Sequence, residues 1–400
     1  MRLKKWYFGS FRMAQILFIS LFLTGCHSKN SNILNSNYKA TLVDSIVVSK
    51  DSGSIGEIAI TDYDSIKHTY LAYDWRQKEI IEFSEKGKVI HNFSITGESP
   101  NDCGSDITGI CYLGKDSFAV TGTKGFFTYN FEGKQLSKIA RSGLYPKGLS
   151  YKLSIIGEYN KGSFLSNTID LKTMNGGEIE KQSTYLTAKN LLLINAKDKK
   201  FIPTIPFEAE SIYLNKEVYF PSSLCSYCVD YVKKDVYVAY TSDPNLYHYK
   251  WGLDTLTFMN KIAFQPYGYS QPKGTPYGKK TNGLDNNKNQ VINTQIQNVF
   301  CTKRNLIVEY IKNLEPDKIN AMKSNQEINS FFGSNYSFQL GLHIISKDGS
   351  EKNYDSIFPS NVTYIQYIHN TNKVLVQQYS LDFEEKSNQT TIFIYDATKR

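Results

Sequence analysis

Residues 79–95, EIIEFSEKGKVIHNFSI, alternate apolar and polar positions on both sides of Lys86-Gly87. Ile81 and Phe83 fall on one face of an extended chain, so the segment predicts a strand, a tight turn and a second strand. Gly87 supplies the positive φ that a short hairpin turn requires. The same pattern returns at residues 126–139 (FFTYNFEGKQLSKI, turning at Gly133) and at 342–357 (LHIISKDGSEKNYDSI, turning at Gly349). A shortened copy, TIFIYDATKR, occupies residues 391–400. One hairpin cannot bury its own apolar face, so a hairpin repeated along a chain predicts stacked units.

Extending this pattern along the chain gives a lone strand at 41–48 and then sets of strands. The first set is 57–63, 68–74, 79–85 and 88–95, and the second is 107–113, 117–123, 125–132 and 134–140. The third is 152–159, 162–169, 190–196 and 200–207, with a polar insertion at 170–189. The fourth is 228–232, 235–241, 246–251 and 255–262, followed by a loop at 265–290 rich in Gly, Pro, Asn and Lys. Structureless loops of this length inside a compact domain are usually functional or disordered. The fifth set is 292–302, 305–311, 337–346 and 351–357, interrupted by a helix at 315–330 with Pro316 in its first turn. The sixth has only three strands, 362–368, 373–381 and 390–396.

Five complete sets and one short set leave a single vacancy, which the strand at 41–48 fills. Pairing the two ends of the chain removes the exposed edge that invites aggregation. The pattern therefore predicts an all-β, six-bladed β-propeller closed by its N-terminal strand. A seventh blade follows if the strand-like piece at 212–220 belongs to a blade of its own. Composition fits: 14% of the 400 residues are aromatic, with 29 Tyr and 23 Phe, residue types that suit pleated surfaces. A radial repeat also grows past the ~250–300 residues at which one conventional core stops growing.

Charge and hydropathy alter the picture only at the N-terminus. Arg2, Lys4, Lys5 and Arg12 lie in an acid-free stretch and contribute half of the formal charge of +8. The remainder carries no dense basic stripe, which argues against nucleic acid as a partner. Residues 13–25 are uncharged and mostly apolar, too short for the ~20 residues of a membrane span. A basic start and a short apolar core describe an export signal at residues 1–25. Leu23-Thr24-Gly25-Cys26 resembles the lipobox of bacterial lipoproteins. That resemblance implies cleavage before Cys26 and lipid on its thiol, with several acyl chains giving stable membrane anchoring. Residues 26–38 then form a lipidated flexible tether and residues 39–400 the propeller domain. No acidic residue follows Cys26 closely. The expectation is a cell-envelope lipoprotein of the outer membrane, facing the periplasm.

The lipobox, the Gly-Lys hairpins and the inter-blade loop Gly97-Glu98-Ser99-Pro100 resemble the six-bladed, TolB-like propeller lipoproteins of the Bacteroidota. Many of these belong to a domain family of unknown function. The resemblance spans residues 40–398 and implies fold and location. It transfers no catalytic residue.

Searching for chemistry yields little. Gly-x-Ser-x-Gly, His-Glu-x-x-His, the P-loop and Gly-x-Gly-x-x-Gly are all absent. Among six histidines, His68 and His369 fall near strand ends, where a propeller presents groups to its channel. Asp62, Asp64 and Asp74 are the candidates for a bound Ca²⁺, with turn capping as the plainer reading. No other cofactor is implied. Cys225-Ser226-Tyr227-Cys228 has the spacing of a redox motif without its strand-to-helix setting, and reads as a local disulfide or as two free thiols at a blade edge; Cys103 and Cys111 are candidates for a bridge from a loop to an inner strand. The candidate ligand face collects loops between second and third strands and between blades. It holds Trp75, Arg76, Asn101, Asp102, Asp106, Tyr145, Lys147, Asp243, Asn245, Tyr267 and Tyr269, residue types common in recognition surfaces. Two functions follow as expectations. One is a binding or scaffold module for an envelope protein, peptide or glycan. The other is a metal-dependent, lactonase-like or lyase-like enzyme using the central channel.

Overall fold

Alternating runs become four-stranded antiparallel sheets, and the sheets are blades. The computed structural model describes residues 37–398 except 52, 141–156, 160, 161, 168–181, 221–223, 253, 254, 280–283, 286, 287, 289–291, 313–315, 329, 331–338, 350, 351, 360, 361, 370–372 and 379–388. Two N-terminal strands, β1 (Asn37–Lys39) and β2 (Thr41–Ser49), precede the first blade. Blade 1 is β3 (Ile58–Asp64), β4 (Thr69–Asp74), β5 (Glu79–Ser84) and β6 (Val89–Phe93). Blade 2 is β7 (Ile107–Tyr112), β8 (Ser117–Gly122), β9 (Gly125–Asn130) and β10 (Gln135–Ala140). Blade 3 is β11 (Gly157–Tyr159), β12 (Ser163–Asn167), β13 (Leu191–Asn195) and β14 (Lys200–Thr204). A two-residue strand, β15 (Val218–Tyr219), follows. Blade 4 is β16 (Cys225–Asp230), β17 (Asp235–Tyr240), β18 (Asp243–Trp251) and β19 (Leu256–Ala263). After β20 (Thr275–Pro276), blade 5 is β21 (Gln295–Cys301), β22 (Asn305–Lys312), β23 (Gln339–Ser346) and β24 (Tyr354–Ile357). Blade 6 is β25 (Val362–Ile368), β26 (Lys373–Gln378) and β27 (Gln389–Asp396), with β2 as its outer strand.

The predicted closure is present: β2 runs antiparallel to β27, from Thr41 opposite Asp396 to Ser49 opposite Gln389. Its alternation decides which side chains serve the fold. Ile46 and Val48 are buried, while Val47 between them is exposed. The strand also reaches blade 1. Ser49 donates its N–H to the Gly87 carbonyl, and Lys50, 5% exposed at its side chain, pairs with Glu79 at 2.6 Å. A Cβ on Gly87 would lie 1.9 Å from the Val47 carbonyl oxygen, so this glycine serves close approach as well as its φ of +83°.

First strands of neighbouring blades contact one another, β25 with β3, β3 with β7 and β16 with β21, and so surround the central axis. The core is divided among the seams. Six apolar clusters among the described residues each straddle two successive blades, the last joining blade 6 to blade 1 through Val48, Leu375, Ile392, Ile58 and Phe83. Burying both faces of every sheet in this way removes apolar area at about 25 cal/mol per Å². It also makes each blade depend on its neighbours.

Several expectations are corrected. Residues 212–220 form no seventh blade. Ile212–Leu214 is a single 3₁₀ turn, and β15 pairs only with β20. Tyr213, Tyr219 and Phe220 are apolar plugs in the seam between blades 3 and 4. The insertion at 170–189 contains α1 (Gln182–Thr187), whose buried Tyr185 donates its hydroxyl to the Phe220 carbonyl at 2.7 Å in that seam. The expected helix at 315–330 begins with α2 (Pro316–Ala321), Pro316 opening it. Asn37 and Tyr38, assigned from the sequence to a flexible tether, belong to β1, which pairs parallel with β24; residues 26–36 lie outside the described residues.

The Cys225–Cys228 disulfide does not form. The fourth set begins at Cys225, three residues earlier than expected, so both cysteines lie on β16. An odd separation along a strand points side chains to opposite faces. Cys225 packs in the seam with blade 3, and Cys228 lies in the seam with blade 5. Cys103 and Cys111 are likewise divided between the two seams of blade 2.

Candidate functional site at the channel rim

Antiparallel register sorts the turns onto two faces. In blade 1, Ile58 opposite Asp74, Asp74 opposite Glu79 and Ile80 opposite Phe93 define the face of inter-blade loops. Asp64 opposite Thr69 and Thr69 opposite Ser84 define the face of the first and third turns.

On the loop face, most acidic groups foreseen as ligand contacts are committed to the fold. Asp243 is fully buried and accepts from Ser211 Oγ at 2.9 Å, Asn245 Nδ2 at 2.6 Å, the Tyr247 hydroxyl at 2.7 Å and Ile212 N at 3.3 Å. Asp102 closes its own turn by accepting from Ser99 N at 2.8 Å, and a Cβ on Gly97 would lie 2.5 Å from its Oδ2. That contact is why the first residue of Gly97-Glu98-Ser99-Pro100 is glycine. Asn101 offers its carbonyl to the Tyr129 hydroxyl at 2.7 Å, and Asp106 accepts from Ser105 Oγ at 2.9 Å. Trp75 is half-buried edge-on against Tyr73 at 5.0 Å, and Arg76 is exposed beside it. Tyr267 is exposed with the Lys312 ammonium 4.6 Å from its ring centre. Tyr269 is half-buried, and its hydroxyl has no hydrogen-bond partner among the described residues. Tyr145 and Lys147 lie outside the described residues, as does Cys26. Those of the foreseen residues that are described therefore lie in loops of one face, each engaged with its own local partners.

Convergence occurs on the opposite face, where blade 6 meets blade 1. Tyr63 is the last residue but one of β3, His68 lies in the turn before β4, Tyr70 is the second residue of β4, Glu85 follows β5, Tyr367 is the last residue but one of β25, and His369 follows that strand. The Tyr63 ring lies 4.9 Å from Tyr70, 4.9 Å edge-on from His369 and 6.1 Å from Tyr367. Its hydroxyl donates to Glu85 Oε1 at 2.5 Å and sits 3.3 Å from His68 Nδ1. Tyr70 and His369 share a 2.7 Å bond between the hydroxyl and Nε2. His68 and His369, separately noted in the sequence for their strand-end positions, thus flank one tyrosine. His68 adopts φ +55°, but Lys78, Lys199 and Lys234 do the same in comparable turns, so the conformation belongs to the turn type.

Electrostatics differ across the cluster. The Tyr63 hydroxyl, and then His68, hold the Glu85 carboxyl below the usual range. Burial pushes His369 down and favours neutral imidazole. Burial pushes the neighbouring Asp62 carboxyl up to about 6, against N–H donations from Tyr112 at 2.9 Å and Tyr63 at 2.8 Å. Neutral His369, ionised Glu85 and the half-buried phenols of Tyr63 and Tyr367 give one site both donors and acceptors around aromatic faces. Asp64 ends β3 and Asp74 ends β4, at opposite ends of that strand pair, and Asp74 spends its oxygens on Gly56, Arg76 and Gln77 N–H groups. Among the described residues, no three His, Cys, Asp or Glu side chains are grouped to hold a metal ion. Sequence reasoning missed the cluster because Tyr63 and Tyr367 are far apart in the chain. The signal lay in equivalent strand ends of blades 1 and 6, which ring closure makes neighbours.

Fold and site together define a six-bladed β-propeller with a polar-aromatic cluster at one end of its channel. No protein-family model and no curated protein matches the sequence. Among solved structures, the chain is similar to a DUF4221 family member from Bacteroides vulgatus, at TM-score 0.64 and 10% identity, covering 90% of this chain and 99% of that one. It is also similar to a candidate exported protein from Bacteroides fragilis, at TM-score 0.52 and 13% identity, covering 91% and 99%. These likenesses concern the fold.

Proposed function

We propose that the protein is a lipid-anchored propeller of the bacterial envelope, acting as a binding or scaffold module for a protein, peptide or glycan. The observation that carries this reading is the rim cluster of Tyr63, Tyr367, His369, His68 and Glu85, reachable from solvent, backed by buried Tyr70 and contributed by two blades. A glycan suits its chemistry best. Aromatic faces cover the C–H surfaces of sugars, while carboxylate and imidazole groups pair with hydroxyls. Lipidation at Cys26 and an outer-membrane position facing the periplasm rest on the lipobox-like Leu23-Thr24-Gly25-Cys26 and the acid-poor residues after it. The structural similarity to a candidate exported protein is consistent with that location.

The test is direct binding of purified full-length protein to envelope polysaccharides and their oligosaccharides by calorimetry. Tyr63→Ala and Tyr367→Ala are expected to weaken binding by about tenfold or more each, as truncated anchor residues do. Trp75→Ala, on the opposite face, is expected to leave affinity unchanged. Equal loss from Trp75→Ala, or unaltered affinity in both tyrosine variants, would move the site off the rim. Metabolic labelling with a fatty acid tests the anchor, with incorporation expected in the native chain and lost in Cys26→Ser.

A further inference from the structure

The cysteine expected to pair with Cys225 has a different neighbour. Cys228, on the first strand of blade 4, and Cys301, ending the first strand of blade 5, share the seam between those blades. The strands that carry them, β16 and β21, pack against each other, and the two sulfurs face the same seam. Lys347, in the turn after β23, brings its ammonium 2.9 Å from Cys301 Sγ and 2.6 Å from Asp230 Oδ2. That ammonium is 5% exposed at its side chain, so its field on the sulfur is little screened by solvent. Cys301 is partly accessible at the strand end, whereas Cys228 is buried.

We propose that Cys301 and Cys228 form a thiol–disulfide exchange site, with Cys301 as attacking thiol and Cys228 as resolving thiol, whose substrate class is a small-molecule or protein disulfide. The assignment stands on position: a reachable sulfur beside a fixed cation, with a second thiol in the same seam and shielded from solvent. The Cys228 thiol and the Lys347 ammonium draw Cys301 below the usual cysteine range, whereas burial holds Cys228 well above it. This difference matches the division between attacking and resolving thiols.

The step balances without a further oxidant. Cys301 thiolate attacks one sulfur of R–S–S–R, forming a mixed disulfide and releasing RS⁻. That thiolate takes a proton. Cys228 then gives up its proton and attacks Cys301 Sγ, forming the protein disulfide and releasing the second RS⁻, which is protonated in turn. The protein dithiol is oxidised and the external disulfide is reduced to two thiols. The product links the first strands of blades 4 and 5, adding a covalent tie to the side-chain packing and the Ile296 N–H to Thr241 carbonyl bond that already join those blades.

The experiment uses the full-length protein equilibrated with glutathione and its disulfide, acid-quenched, alkylated and mapped by peptide mass spectrometry. The expected product is a Cys228–Cys301 crosslink, with Cys103, Cys111 and Cys225 recovered alkylated. Cys228→Ala is expected to trap glutathione on Cys301, and Lys347→Met to slow crosslinking by about tenfold or more, because the thiolate fraction falls. Absence of the crosslink in native protein, glutathione trapped equally on other cysteines, or an unchanged rate in Lys347→Met would each overturn the assignment. Mapping the native protein keeps the test valid if a variant fails to fold.

Discussion

Val48→Ala tests whether the ring is one cooperative unit. Val48 is fully buried in the seam between blades 6 and 1, beside Ile392, Leu375 and Ile58. The substitution removes two buried carbons at about 0.8 kcal/mol each and leaves a small cavity, for a loss of roughly 2 kcal/mol. Val47→Ala is the control: same strand, same chemistry, but 46% exposed, so the expected change is within about 0.5 kcal/mol. Stability is read by urea unfolding, following the fluorescence of Trp251 with Trp6 and Trp75 replaced by Phe. Trp251 is buried in blade 4, away from the substitution, and registers it only if the blades unfold together. The expected result is one transition whose midpoint shifts in Val48→Ala and not in Val47→Ala. An unmoved Trp251 transition, or equal effects of the two substitutions, would refute closure as a global determinant. Deleting residues 38–50 extends the test, since it removes the whole clasp and is expected to abolish the folded ring. Deleting 27–36 is expected to leave stability unchanged.

Asp243→Ala removes the buried acceptor of four donors and is expected to cost about 3 kcal/mol or more in chemical denaturation, identifying Asp243 as structural. Asp62 binds its proton more tightly folded than unfolded, so between about pH 4 and 6 it contributes stability that is lost as pH rises through the folded pKa of about 6. Asp62→Asn is therefore expected to flatten the fall of melting temperature over that window, and an unaltered pH profile would contradict this.

The sequence carried the architecture well because closure leaves an arithmetic trace: a three-strand set at one end and an orphan strand at the other. It misjudged residues 212–220 because apolar side chains read alike in a strand and in a plug such as Tyr213 and Phe220. The site was less legible. Asp243 and Asp102 have the composition of a binding rim, but only packing shows that their oxygens are already engaged. Tyr63 and His369 carry no local motif, since their proximity is created by joining the first blade to the last. The neighbourhood of Cys228 and Cys301 escaped notice for the same reason, being created by adjacent blades.

The N-terminal arm also has a mechanical consequence. It runs along the outer edge of blade 5 as β1, passes Ala40, whose N–H bonds the Ile357 carbonyl, and continues along blade 6 as β2. A pull at Asn37 directed along these strands loads their hydrogen bonds in shear, many at once. The three-residue β1 pairing yields before the longer β2 pairing. The short strand thus works as strain relief, like the clamp on a cable. Tension from the N-terminal side detaches an accessory strand first and leaves the ring shut.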